Sequence, residues 1–134
     1  MGILVYLLTI IHYLQTGCFE KAQSNAEKAI LNLERLKWKE QEAVTSAPNK
    51  NTRLLTTYNT EYVTNSFHLM ILENMIRTNV AMGNRCVAIR HIGEAFQLCD
   101  SEVRLMNSYS PQLHCLLGLY AFSMNFKEQV TIFL

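Results

Sequence analysis

Apolar residues recur along most of the chain at intervals of three and four, the period of one face of an α-helix. The pattern is clearest from Phe67 to Asp100. There Leu69, Leu72, Ile76 and Val80 share a face, Gly83 breaks the run, and Ala88, Ile92, Ala95 and Cys99 resume it. Two helices joined by a glycine turn are predicted, the second offering small residues to the larger ones of the first, which permits close packing. The same construction stands earlier. A helix over about 3–15 carries Tyr6, Ile10 and Tyr13 on one stripe and stops at Thr16-Gly17; a second, from Glu20 to about Trp38, carries Ala22, Ala26, Ala29, Leu33 and Leu36. Glu20, Lys21, Glu27, Lys28, Glu34 and Lys37 fall elsewhere on that second helix and read as a solvated face.

Between Glu40 and Asn65 the period is lost. Thr, Asn and Ser gather around Pro48, and the segment reads as a polar linker or inserted loop, from which Leu55, Tyr58 and Tyr62 are spaced to extend the next helix backward. Ser101 to Tyr109 reads as a short connection with one helical turn around Val103 to Met106. Ser110-Pro111 then has the form of an N-cap followed by proline at the first helical position. A further helix is expected from Pro111, with Gly118 at a close-packing position, Asn125 in the following turn, and Val130 where an alanine stands in the earlier pairs.

The glycine, an alanine five residues on and an alanine seven beyond that occur twice, as Gly17, Ala22, Ala29 and as Gly83, Ala88, Ala95. This is the tetratricopeptide spacing. The two turns are 83 − 17 = 66 residues apart, close to two repeats of roughly 34. The predicted fold is therefore all-α: a tetratricopeptide-like α-solenoid of antiparallel helix pairs with about two and two-thirds repeats. One array is expected over 1–134, with repeats at about 3–36, 69–102 and 111–134 and the polar linker at about 40–65. Ile132, Phe133 and Leu134 close the chain inside a helix without the polar cap that ends a natural array, and the first helix starts with no polar lead-in. A piece of a longer chain is the expectation.

An apolar content of 49% against 17% charged places the 134 residues among chains that build a core. The net charge of +1, with scattered basic residues, leaves no electrostatic footprint for nucleic acid or an anionic membrane. The uncharged opening is shorter than the roughly 20 residues a bilayer needs and lacks the basic leader of a secretory signal. Cys18, Cys86, Cys99 and Cys115 match no zinc spacing and fall at or near apolar helical positions; they are read as reduced, buried thiols of an intracellular protein. No nucleophile motif, phosphate-cradling loop or metalloprotease signature is present, and His12, His68, His91 and His114 lack an identifiable orienting partner. No catalytic, metal-binding or cofactor-binding residue is nominated, and a non-enzyme without cofactors is expected. What remains is binding by shape, on the concave surface lined by the first helix of each pair. Asn74, Arg77, Thr78 and Asn79 interrupt an apolar helix and are the groove candidates, able to pair with a partner's backbone; the competing reading is a solvated stripe. Gly17, Ala22, Ala29, Gly83, Ala88, Ala95 and Gly118 are the repeat-packing residues.

The block SFHLMILENMIRTNVAMGNRCVAIRHIGEAFQLCD, then a spacer, then QLHCLLGLYAFSMN resembles the tetratricopeptide subunit of the cohesin loader, the chromatid cohesion factor family that works with Nipped-B, the adherin. GCFEKAQSNAEKAILNLERLK is similar to that family's preceding repeat. The resemblance implies a helical superhelix wrapping the extended N-terminal segment of the adherin, a nuclear heterodimer that helps place cohesin on chromatin and supports sister-chromatid cohesion. The alternative is a generic tetratricopeptide adaptor, such as a chaperone co-factor reading a C-terminal carboxylate, which needs a basic clamp for which only Arg77 is available.

Overall fold

The computed structural model describes the backbone of residues 2–45 and 50–124, and the side chains of 2–39, 42 and 61–124. Five helices follow in order: α1 (Ile3–Gln15), α2 (Phe19–Thr45), α3 (Lys50–Met82), α4 (Arg85–Asp100) and α5 (Val103–Ser123). The described residues contain no strand. The expectations at Asn125, Val130 and Ile132 to Leu134 lie outside them.

The two glycine turns are built alike. Gly17 and Gly83 take φ of 79° and 80°, a left-handed conformation that a Cβ opposes. After α1 the Cys18 N–H donates to the Tyr13 carbonyl at 2.8 Å and the Gly17 N–H to that of Leu14 at 3.2 Å; after α3 Asn84 donates to Asn79 at 2.8 Å and Gly83 to Val80 at 3.2 Å. Both are Schellman endings, which satisfy the last carbonyls of a helix while reversing the chain.

Each helix packs on the next in sequence. α1 also touches α3, and α3 touches α5, whereas α2 and α4 do not meet. A layer whose members abut, beside one whose members stand apart, curves toward the first. The odd-numbered helices therefore line the inner side of a short superhelix, with α2 and α4 outside, as in a tetratricopeptide-like solenoid.

The core forms two clusters with α3 between them. One joins Leu7 and Ile10 of α1, Ala22, Ala26, Ala29 and Leu33 of α2, and Ile71 and Met75 of α3. The other joins Leu69, Leu72 and Ile76 of α3 to Ile92, Ala95 and Cys99 of α4 and Leu105, Leu113 and Leu116 of α5. Each large aliphatic side chain so buried contributes about 1.5–3 kcal/mol. At the crossings Ala22, Ala29 and Ala88 are 0% exposed and Ala95 1%, so helix backbones approach closely there. Gly118 is also buried, within α5.

Several expectations are corrected. The polar stretch at 40–65 is helical wherever it is described, as the end of α2 and the first half of α3. Thr and Asn lower helix stability by at most about 0.7 kcal/mol each, and tertiary contacts outweigh that: Thr64 and Asn65 are buried, and Tyr62 packs on the core under the Arg104 guanidinium, 4.3 Å from its ring centroid. The 83 − 17 = 66 residues between the turns thus hold one long pair, α2 and α3, rather than two repeats. The connection after α4 is Ser101 and Glu102 alone; Val103 to Tyr109 already belongs to α5, and no helix begins at Pro111, which lies inside it. Leu105, Tyr109, Leu113 and Leu116 make one continuous apolar face across the proline, all in or against the second cluster. Leu36 is 41% exposed. Of the cysteines only Cys99 is buried; Cys18, Cys86 and Cys115 are exposed free thiols.

Candidate binding groove

On the inner side, α1 and α3 leave a cleft of about 550 Å³. Its floor is apolar. Leu7, Ile11 and Leu14 step four and three along α1, Phe19 opens α2 beyond the Gly17 turn, and Met70 comes from α3. The rim is polar, with Gln15 at the end of α1 and Glu73, Asn74 and Arg77 on the same face of α3 as Met70.

The rim is internally organised. Arg77 Nη2 donates to Glu73 Oε1 at 2.8 Å, one helical turn back, with the arginine side chain 57% exposed and the glutamate 20%. Asn74 Nδ2 donates to the Met70 carbonyl at 2.7 Å, which leaves its Oδ1 as an acceptor. Toward α5, burial first and Glu73 next push the Tyr109 phenol above its ordinary 10.0, so it stays a hydroxyl.

The four candidate residues divide. Asn74 and Arg77 line the cleft. Thr78 and Asn79 do not: they are 1% and 0% exposed, and no partner reaches them. Thr78 follows Met75 by three positions and Asn79 follows Ile76 by three, so each prolongs a buried face of α3. Their polar atoms are satisfied at home, Thr78 Oγ1 donating to the Asn74 carbonyl at 2.7 Å and Asn79 Nδ2 to that of Met75 at 2.8 Å, while Asn79 Oδ1 accepts from Asn84 Nδ2 at 3.4 Å. Sequence reasoning missed Glu73, although its spacing to Arg77 is that of a helical ion pair. It also missed the Leu7, Ile11 and Leu14 stripe, whose period is legible but whose neighbour is set by the stacking.

An apolar floor with an amide and an ion pair on its edge receives apolar side chains of an extended segment and meets that segment's backbone at the rim. The described residues include no group of three or more His, Cys, Asp or Glu able to hold a metal ion. Among them no helix is long and apolar enough to cross a membrane.

A family model described as cohesin loading factor matches residues 1–131. The chain is 34% identical over 128 residues to the MAU2 chromatid cohesion factor homologs of Drosophila virilis and Aedes aegypti, an alignment covering 94% of this chain and 18% of each relative. The homolog of Drosophila mojavensis is equally similar, with 17% of its length covered. The chain thus spans less than a fifth of the curated relatives it matches. No solved structure matches it.

Proposed function

The chain belongs to the cohesin loading factor family, and from that premise we propose that it is a non-catalytic scaffold segment of the cohesin loader, acting on chromatin in the nucleus. In this reading the α1–α3 groove holds part of the extended N-terminal segment of the adherin, Nipped-B, and the pair promotes cohesin association with chromatin and sister-chromatid cohesion. The observation that supports it is the cleft itself: a volume of about 550 Å³ over an apolar floor, rimmed by Asn74 and by Glu73 paired to Arg77, on the inner side of stacked helix pairs. The alternative adaptor, reading a C-terminal carboxylate, needs several convergent cations. Among the described residues lining this groove Arg77 is the one cation, and Glu73 already holds it.

Co-purification of the adherin N-terminal segment with the 134-residue chain tests the proposal. Binding is expected at micromolar concentration, and Ile11→Asp, which places a charge on the floor, weakens it at least about tenfold, or about 1.4 kcal/mol. Failure of the unmodified chain to retain the segment, or retention undiminished by Ile11→Asp, overturns it.

A further inference from the structure

The outer face of α2 carries an order that a solvated helix does not need. Ser24, Leu31 and Trp38 recur every seven residues, and Leu31 and Trp38 are 56% and 70% exposed, on a side of α2 that neither α4 nor α5 approaches. Glu20, Glu27 and Glu34 form a second row with the same period, and Lys21, Lys28 and Arg35 a third, all six exposed. At about 100° per residue the acidic row lies roughly 40–60° to one side of the central row and the basic row as far to the other. Opposite charges in the two rows are separated by one position or by six or more, and never by three or four, so they do not pair along the helix. Among the described residues no ion pair engages any of them; Lys21 has the Tyr13 ring, 5.7 Å from its Nζ.

Two exposed apolar residues one heptad apart, Leu31 and Trp38, with acid on one flank and base on the other, form a strip complementary to itself in one orientation only. Rotation about a twofold axis parallel to the helix exchanges left and right, so the acidic row of one copy meets the basic row of the next. A twofold axis across the helix keeps each flank on its own side and sets like charge against like. We propose that the outer face of α2 is a self-association surface taking a second copy of this chain in parallel, Leu31 on Leu31 and Trp38 on Trp38, with Glu27 and Glu34 facing Lys28 and Arg35 of the other copy. One apolar position per seven residues makes a narrow twofold contact rather than a coiled-coil seam, and the two flanking charged rows set its orientation. The surface lies opposite the α1–α3 groove, so its test is independent of adherin binding.

Sedimentation of the 134-residue chain between about 5 and 200 µM is expected to show monomer passing to dimer, with Kd on the order of 10–100 µM, as suits a small interface. Lys28→Glu with Arg35→Glu makes both flanks acidic, and Glu27→Lys with Glu34→Lys makes both basic. Each double variant alone is expected to dimerise at least about tenfold more weakly, and an equimolar mixture of the two to recover the original affinity. All four positions are exposed, and unchanged helicity by circular dichroism checks that the variants fold. For orientation, Ser24→Cys is made with Cys18, Cys86 and Cys115 changed to Ser. Oxidation cross-links the variant to itself in the parallel pair, whereas antiparallel pairing about Leu31 separates the two copies of position 24 by about 21 Å along the axis. A chain that stays monomeric throughout, a dimer indifferent to the charge reversals, or a dimer that does not cross-link through position 24 overturns the proposal.

Discussion

Asn79 shows how far a residue's role depends on which face of its helix it occupies. It is fully buried in the last turn of α3, bonded to the Met75 carbonyl and to Asn84. Asn79→Ala is therefore expected to lower stability by about 1–3 kcal/mol, through the lost bond and the space left behind. Arg77→Ala, two residues away, removes an exposed ion pair and changes stability by less than about 0.5 kcal/mol. Urea unfolding of the two variants checks both. His68 makes a second residue-scale prediction. Its Nδ1 is buried and has no hydrogen-bond partner among the described residues, and its pKa is lowered to about 4, by burial first and by the Lys37 charge next, with Glu94 opposing. The unfolded ring titrates near 6.5, so the folded state binds fewer protons below that pH. Stability from His68 is whole above 6.5 and is lost as pH falls from 6.5 toward 4. Allowing for the partial exposure of the ring, the loss is about 1–2 kcal/mol. His68→Leu is expected to remove that component, seen as a smaller difference between unfolding midpoints at pH 7 and at acid pH.

Among the elements, α5 carries the clearest internal conflict. Pro111 lacks the N–H that would reach the Asn107 carbonyl, and its ring crowds the preceding turn, an arrangement that costs about 3 kcal/mol in a helix interior. The helix persists because Leu105 and Leu113, on either side, are buried in the same cluster. Pro111→Ala is expected to stabilise the chain by about 1 kcal/mol or more, measured as a rise in melting temperature of several degrees. α3 differs from the others in being buried on two faces: Ile71 and Met75 serve the cluster with α1 and α2, while Leu69, Leu72 and Ile76 serve the one with α4 and α5. A helix with two buried faces shows less amphipathic contrast, and only the face toward α4 stood out in the sequence.

For the whole molecule, that shared helix couples the two clusters. Opening either cluster strips one side of α3, whereas freeing the amides of α3 between Leu69 and Ile76 requires both to open. Native-state hydrogen exchange is therefore expected to be slowest there and faster in α1 and α5, each of which belongs to one cluster. If α1 amides exchange as slowly as those around Leu72, the clusters unfold as one unit. The inner groove is likewise a property of the stack, since Leu7 and Arg77 come together only because α1 and α3 abut while α2 and α4 splay outward.

The local grammar of the chain was legible in its residues. Gly17 and Gly83 mark the turns because only glycine enters the left-handed region without strain, and Ala22, Ala29, Ala88 and Ala95 mark the crossings because only small side chains admit a close approach. The all-helical class and the stripe from Leu69 to Val80 follow from the same period. What the residues left open was decided by contacts distant in sequence. Thr64 and Asn65 are helical because the fold buries them, α5 runs through Pro111 because Leu105 and Leu113 must enter one core, and Asn79 is buried while Arg77 is exposed because α3 has neighbours on two sides. Local propensities differ by tenths of a kcal/mol per residue, whereas burial of a side chain is worth about 1.5–3 kcal/mol. Where the two disagree, tertiary packing sets the outcome.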